Sequence, residues 1–159
     1  MNSTSDTTMA KGPNRLMVFS SVLMVLGSLL TAYILINEAL FISRNPGYQQ
    51  EPDMLAALIT IILLVLEIRY AVSVLLAKWR NRPCEPLKMK NLAALMLVLN
   101  CVLFIWCYIC MRFFEGWTTP GYFTLADIIA FSSLPGIFVK ILAQEGASRF
   151  EASLCFDKK

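Results

Sequence analysis

Long runs of apolar residues, each broken by a short polar stretch, set the plan of this chain. Four such blocks occur, at residues 16–42, 54–77, 91–114 and 122–142. Each is long enough for the roughly 20 residues an α-helix needs to cross a hydrocarbon core about 30 Å thick. A backbone without water must satisfy its own hydrogen bonds, so the blocks are predicted as helices. The expected fold is an all-α integral membrane protein, a four-transmembrane-helix bundle.

The polar stretches between the blocks are short. A disordered tail is expected over 1–15, which is rich in Ser, Thr and Asn without apolar periodicity. A second tail is expected over 143–159. Pro46-Gly47 signals a turn before the second helix, Pro52 suits its first turn, and Pro83 and Pro86 break the connection between the second and third. None of these pieces reaches the roughly 50 residues of a soluble domain, so function is expected within or beside the membrane.

Composition agrees with lipid as the solvent: 57% of the residues are hydrophobic, against roughly 45–50% in soluble domains. The formal charge is only +3, and its placement gives an orientation. Eleven of the fourteen Lys and Arg residues fall in the N-terminal tail, the connection 78–90 and the C-terminal end, whereas Arg44 and Arg112 alone face the other side. The positive-inside rule then predicts cytoplasmic N and C termini, in a plasma or bacterial inner membrane. The 78–90 connection is expected to lie against anionic lipid, with Trp79 at the inner interface and Trp117 and Tyr122 at the outer one. No nucleic-acid partner is expected.

Charges inside the apolar blocks carry the functional reading. Glu67 and Arg69 lie near the middle of the second block, where a charge costs about 2.5–3.5 kcal/mol on insertion scales, so each needs a partner. Two residues apart on a helix they point about 200° away from each other, so each is expected to meet a different neighbour. Tyr70 borders Glu67 on the same helix. Depth counting brings Asn100, Ser132, Ser133 and Ser28 to a similar level, with Asp127 nearer the outer face and Lys140 expected to snorkel to the inner interface. Gly27, Ser28 and Thr31 are small residues suited to close helix packing. Pro135 and Gly136 are expected to kink the fourth helix, since proline removes a backbone donor.

Cys107-Tyr108-Ile109-Cys110 superficially resembles the C-x-x-C motif of the vitamin K epoxide reductase family. That family also uses a cysteine pair on an outer loop to relay electrons, and the predicted outer segments here hold no cysteine. Cys107 and Cys110 therefore read as small packing residues. With no histidine in the chain and no metal-ligand spacing, neither a cofactor, a metal nor an enzyme activity is expected.

Two functional expectations follow. One is an oligomeric transporter or channel using a midplane polar layer around Glu67 and Arg69. The other is a non-catalytic accessory subunit of a larger membrane complex, held by its small-residue and charged helix faces.

Overall fold

A computed structural model describes residues 12–44, 54–80, 84–114 and 125–156, with the backbone alone at 38, 42, 54, 110–114, 125–133 and 155–156. The connections 45–53 and 115–124, with Trp117 and Tyr122, lie outside the described residues. Four helices follow one another: α1 (Arg15–Arg44), α2 (Met54–Trp79), α3 (Pro86–Phe114) and α4 (Leu125–Phe156). All regular structure among the described residues is helical.

The helix ends follow local chemistry. Asn14 caps α1, its side-chain oxygen accepting the Met17 N–H at 2.9 Å. Of the expected N-terminal tail, residues 1–11 lie outside the description, and Asn14 already belongs to the fold. Pro86 opens α3, where its missing N–H costs nothing, so the helix begins five residues before the apolar block does.

The expected tail after 142 is corrected: α4 continues to Phe156. Its extension carries an amphipathic stripe in place of a lipid-length apolar run. Ala143, Ala147 and Phe150 are buried and Leu154 packs beside them, while Glu145 and Arg149 pair on the exposed face at 2.8 Å. The helix also runs through Pro135, which lies inside it.

Consecutive helices pack side by side and α4 closes on α1, giving a four-helix ring. The bonds fix the register. Glu67 meets Lys140, and three residues further along both helices the Tyr70 hydroxyl donates to the Ala143 carbonyl at 3.4 Å. Hence α2 and α4 run parallel, as diagonal partners of an up-and-down bundle. Lys90 at the start of α3 pairs with Glu151 near the end of α4 at 2.9 Å, so these two are antiparallel. Asn14 donates to the Gly146 carbonyl at 2.7 Å, tying the start of α1 to the α4 extension.

The burial pattern reverses that of a water-soluble protein. Leu29 is 63% exposed, Tyr33 66% and Phe138 62%, with many other large apolar side chains on the outside. Ser20, Ser21, Ser28, Thr60, Asn100 and Lys140 are buried inside. Water disfavours such broad apolar surface. Three helices among the described residues, over Arg15–Phe41, Leu55–Trp79 and Pro86–Ile109, are long and apolar enough to cross a membrane. Three interior hydroxyls are satisfied along their own helices: Ser20 and Ser21 donate to the Met17 carbonyl at 3.0 and 2.7 Å, and Thr60 to that of Ala56 at 2.7 Å.

Candidate polar site inside the bundle

Each helix contributes one polar side chain at its middle. Ser28, Glu67, Asn100 and Lys140 all fall within two residues of the midpoints of α1, α2, α3 and α4. They meet because the helices share one register. The Lys140 ammonium forms an ion pair with one oxygen of the Glu67 carboxylate, and the Ser28 hydroxyl donates to the other at 2.7 Å. Lys140 is only 3% exposed.

Burying a carboxylate or an ammonium alone costs several kcal/mol, and the pair offsets that only with good geometry and further hydrogen bonds. Ser28 supplies one such bond. Among the described residues, every fully buried side-chain nitrogen or oxygen has a partner. The site thus holds two charges with no net charge.

Gly136 makes room for this arrangement. A β-carbon there would lie 2.9 Å from the Asn100 amide nitrogen and 3.3 Å from the Lys140 ammonium. Lys140 follows Gly136 by one helical turn, so its side chain lies back over the glycine. Asn100 approaches the same surface from α3.

Beside the pair lies a cavity of about 290 Å³. Leu23, Met24, Leu63, Leu103 and Val139 form much of its apolar wall, and Thr31, Thr60, Glu67, Asn100 and Lys140 supply its polar groups. All four helices contribute. A pocket that is mainly apolar with a few convergent polar groups suits a small ligand with one polar end.

The structure sorts the residues expected from sequence. Glu67 and Asn100 come together at the site, and Tyr70 lies one turn away, fully buried. Arg69 does not join them: it is exposed and faces a groove between α2 and α3. Gly27 and Thr31 line the cavity, and a β-carbon added at Gly27 would meet no atom within 4 Å. Ser28, expected both as a small packing residue and at the level of Glu67, bonds Glu67. Pro135 and Gly136 also line the cavity. The side chains of Asp127, Ser132, Ser133 and Cys110 lie outside the description.

Lys140 is the residue that sequence reasoning misplaced. Its ammonium turns inward to Glu67 instead of reaching an interface. The available signal was its place after Gly136 within the apolar run 134–142, which leaves space for a long side chain to fold back. Cys107 is buried and Cys101 partly so. No group of three His, Cys, Asp or Glu residues among the described residues is arranged to hold a metal.

No protein-family description, curated protein or solved structure matches this chain.

Proposed function

We propose that this chain is a small multi-pass membrane transporter that binds a small solute in the cavity beside Glu67 and Lys140. The carrying observation is the buried acid–base pair bordering open space at the centre of the bundle. A pair that only joined helices could be replaced by apolar residues at little or no cost. Here it forms part of a cavity wall. A charged or polar solute group can exchange with one member of the pair and leave the other neutralised.

Both termini and the α2–α3 connection are placed in the cytoplasm, in a plasma or bacterial inner membrane, on the charge bias of the connections. Anionic lipid meets the basic 78–90 stretch. Association of several copies is part of this reading.

Reconstitution into liposomes tests it, with a panel of protons, monovalent ions and small amino acids as probes. Wild-type protein is expected to carry at least one probe, and Glu67→Gln to lose that flux. Wild-type liposomes no leakier than empty ones across the panel would overturn the proposal.

A second reading, an accessory subunit, is favoured by one observation: Gly27 is exposed on α1 with no atom near the place a side chain would occupy. A helix from another membrane protein can approach closely there. It predicts co-purification with a different membrane protein in mild detergent, lost on Gly27→Leu.

A further inference from the structure

Arg69 faces away from the central site. Its guanidinium is on the outer surface of α2, and no acidic side chain among the described residues pairs with it. It lines a groove of about 470 Å³ between α2 and α3 with Ser73, Lys88, Met89, Asn91, Leu92 and Leu95. This groove carries two cations and two polar groups on an apolar floor. Val72, Leu76, Leu87 and Leu95 are exposed on the same two helices.

An arginine on an apolar helix surface does not stay unpaired in lipid; it reaches an anion or water. The groove gives the direction. Ser73 lies one turn beyond Arg69 toward the end of α2, and Asn91 and Lys88 lie near the start of α3. The polar lane therefore runs from Arg69 toward the Trp79 end of the bundle. There Trp79 is 83% exposed, and Lys78 and Arg80 are exposed too. Such an aromatic and basic rim is the pattern of a headgroup interface.

We infer that this groove binds the headgroup of one anionic phospholipid. The phosphate is held by the Arg69 guanidinium, whose planar fork matches phosphate oxygens, and by the Lys88 ammonium. Ser73 and Asn91 offer hydroxyl and amide groups to the rest of the headgroup. Met89, Leu92 and Leu95 lie under the first acyl carbons. Lys88 pairs with Glu85 at 2.7 Å, but both side chains are largely exposed, so this bond exchanges at little cost. The inference deepens the reading of the chain as membrane-embedded and does not depend on transport.

The test is native mass spectrometry of the full chain in mild detergent, with phosphatidylglycerol and phosphatidylcholine of identical acyl chains. Wild type is expected to retain one phosphatidylglycerol in preference to phosphatidylcholine. Arg69→Gln should weaken that preference about fivefold, the size of one basic contact with anionic lipid. Arg69→Lys, which keeps the charge without the fork, should fall between. Arg149→Gln lies on the exposed face of α4, outside the groove, and should retain the wild-type preference.

Excess inorganic phosphate should not displace the lipid, because the acyl contacts are part of the site. Displacement would overturn the lipid assignment in favour of free phosphate. No wild-type preference, equal loss in Arg149→Gln and Arg69→Gln, or a dimer or acidic protein lost in the Arg69 variant would each overturn the inference. If wild-type liposomes show no flux yet lipid preference holds, the transport reading fails alone.

Discussion

Gly136 and Asn100 stand so close that a single added methyl group would bring carbon within 2.9 Å of the asparagine amide. In a helix interior alanine is normally favoured over glycine by about 1 kcal/mol. Here the gain meets a displaced Asn100 and a crowded Lys140. Gly136→Ala is therefore expected to leave the thermal midpoint near wild type while lowering solute flux or binding. Melting in detergent and liposome flux on the same preparation check this. An increase in both would show that the glycine serves no role at the site.

The ion pair makes an asymmetric prediction. Lys140→Met leaves the Glu67 carboxylate buried with only Ser28 as partner and is expected to cost about 3–5 kcal/mol. Replacing both residues, Glu67→Leu with Lys140→Met, should recover most of that loss. Unfolding in a denaturing detergent measures both. The double variant should still lack flux, which separates stability from function.

Tyr70 is a packing residue with a weak polar bond. Its hydroxyl reaches the Ala143 carbonyl at 3.4 Å, longer than the usual O–H···O bond. Tyr70→Phe should cost no more than about 1 kcal/mol, whereas Tyr70→Ala should cost about 3–5 kcal/mol by leaving a cavity. The same unfolding measurement distinguishes them.

The seam between α1 and α4 should be sensitive to small changes. A β-carbon at Gly146 would lie 3.0 Å from both the Met17 backbone nitrogen and its side-chain Cγ. Gly146→Ala is expected to destabilise despite the better helix former, because a backbone atom stands in the way. Asn14→Ala removes both the α1 cap and the bond to Gly146 and should cost about 1–2 kcal/mol. Hydrogen exchange at the first turn of α1 should rise in both variants.

Cys84 offers a chemical probe of the connection before α3. Burial, with the neighbouring Glu85 carboxylate adding to it, pushes its thiol above the usual range. Less thiolate is then present at neutral pH, and the thiolate is the reacting form. Maleimide labelling at Cys84 should be slower than for an exposed thiol, and should accelerate both with rising pH and on unfolding. Mass spectrometry of the labelled peptide reads the rate.

The four helices are legible in the sequence because a lipid-length apolar run leaves a trace that needs no knowledge of partners. Glu67 and Asn100 are legible for a similar reason, as polar groups deep inside such runs. Arg69 is only half legible. The 200° offset separates it from Glu67, but α2 is apolar on nearly every side, so the sequence does not mark which face is outside. Lys140 is hidden by the boundary of its helix. With α4 ending at 142 it lies at a rim, where lysine snorkels. With the helix continuing to Phe156 the same residue sits at the middle and must find an acid. The extension is short and amphipathic, and its stripe of alanines is a weak signal until α1 and α3 are beside it.

The partners of the central pair are 73 residues apart in the chain, which gives their meeting a time order during synthesis. Synthesis from the N-terminus presents Glu67 long before Lys140 exists. Until α4 is made, Ser28 is the one partner of the two that Glu67 can already meet. A chain cut short before residue 140 therefore carries the acid of this pair without its base. The central ion pair is thus a contact that only a chain extended past residue 140 can make.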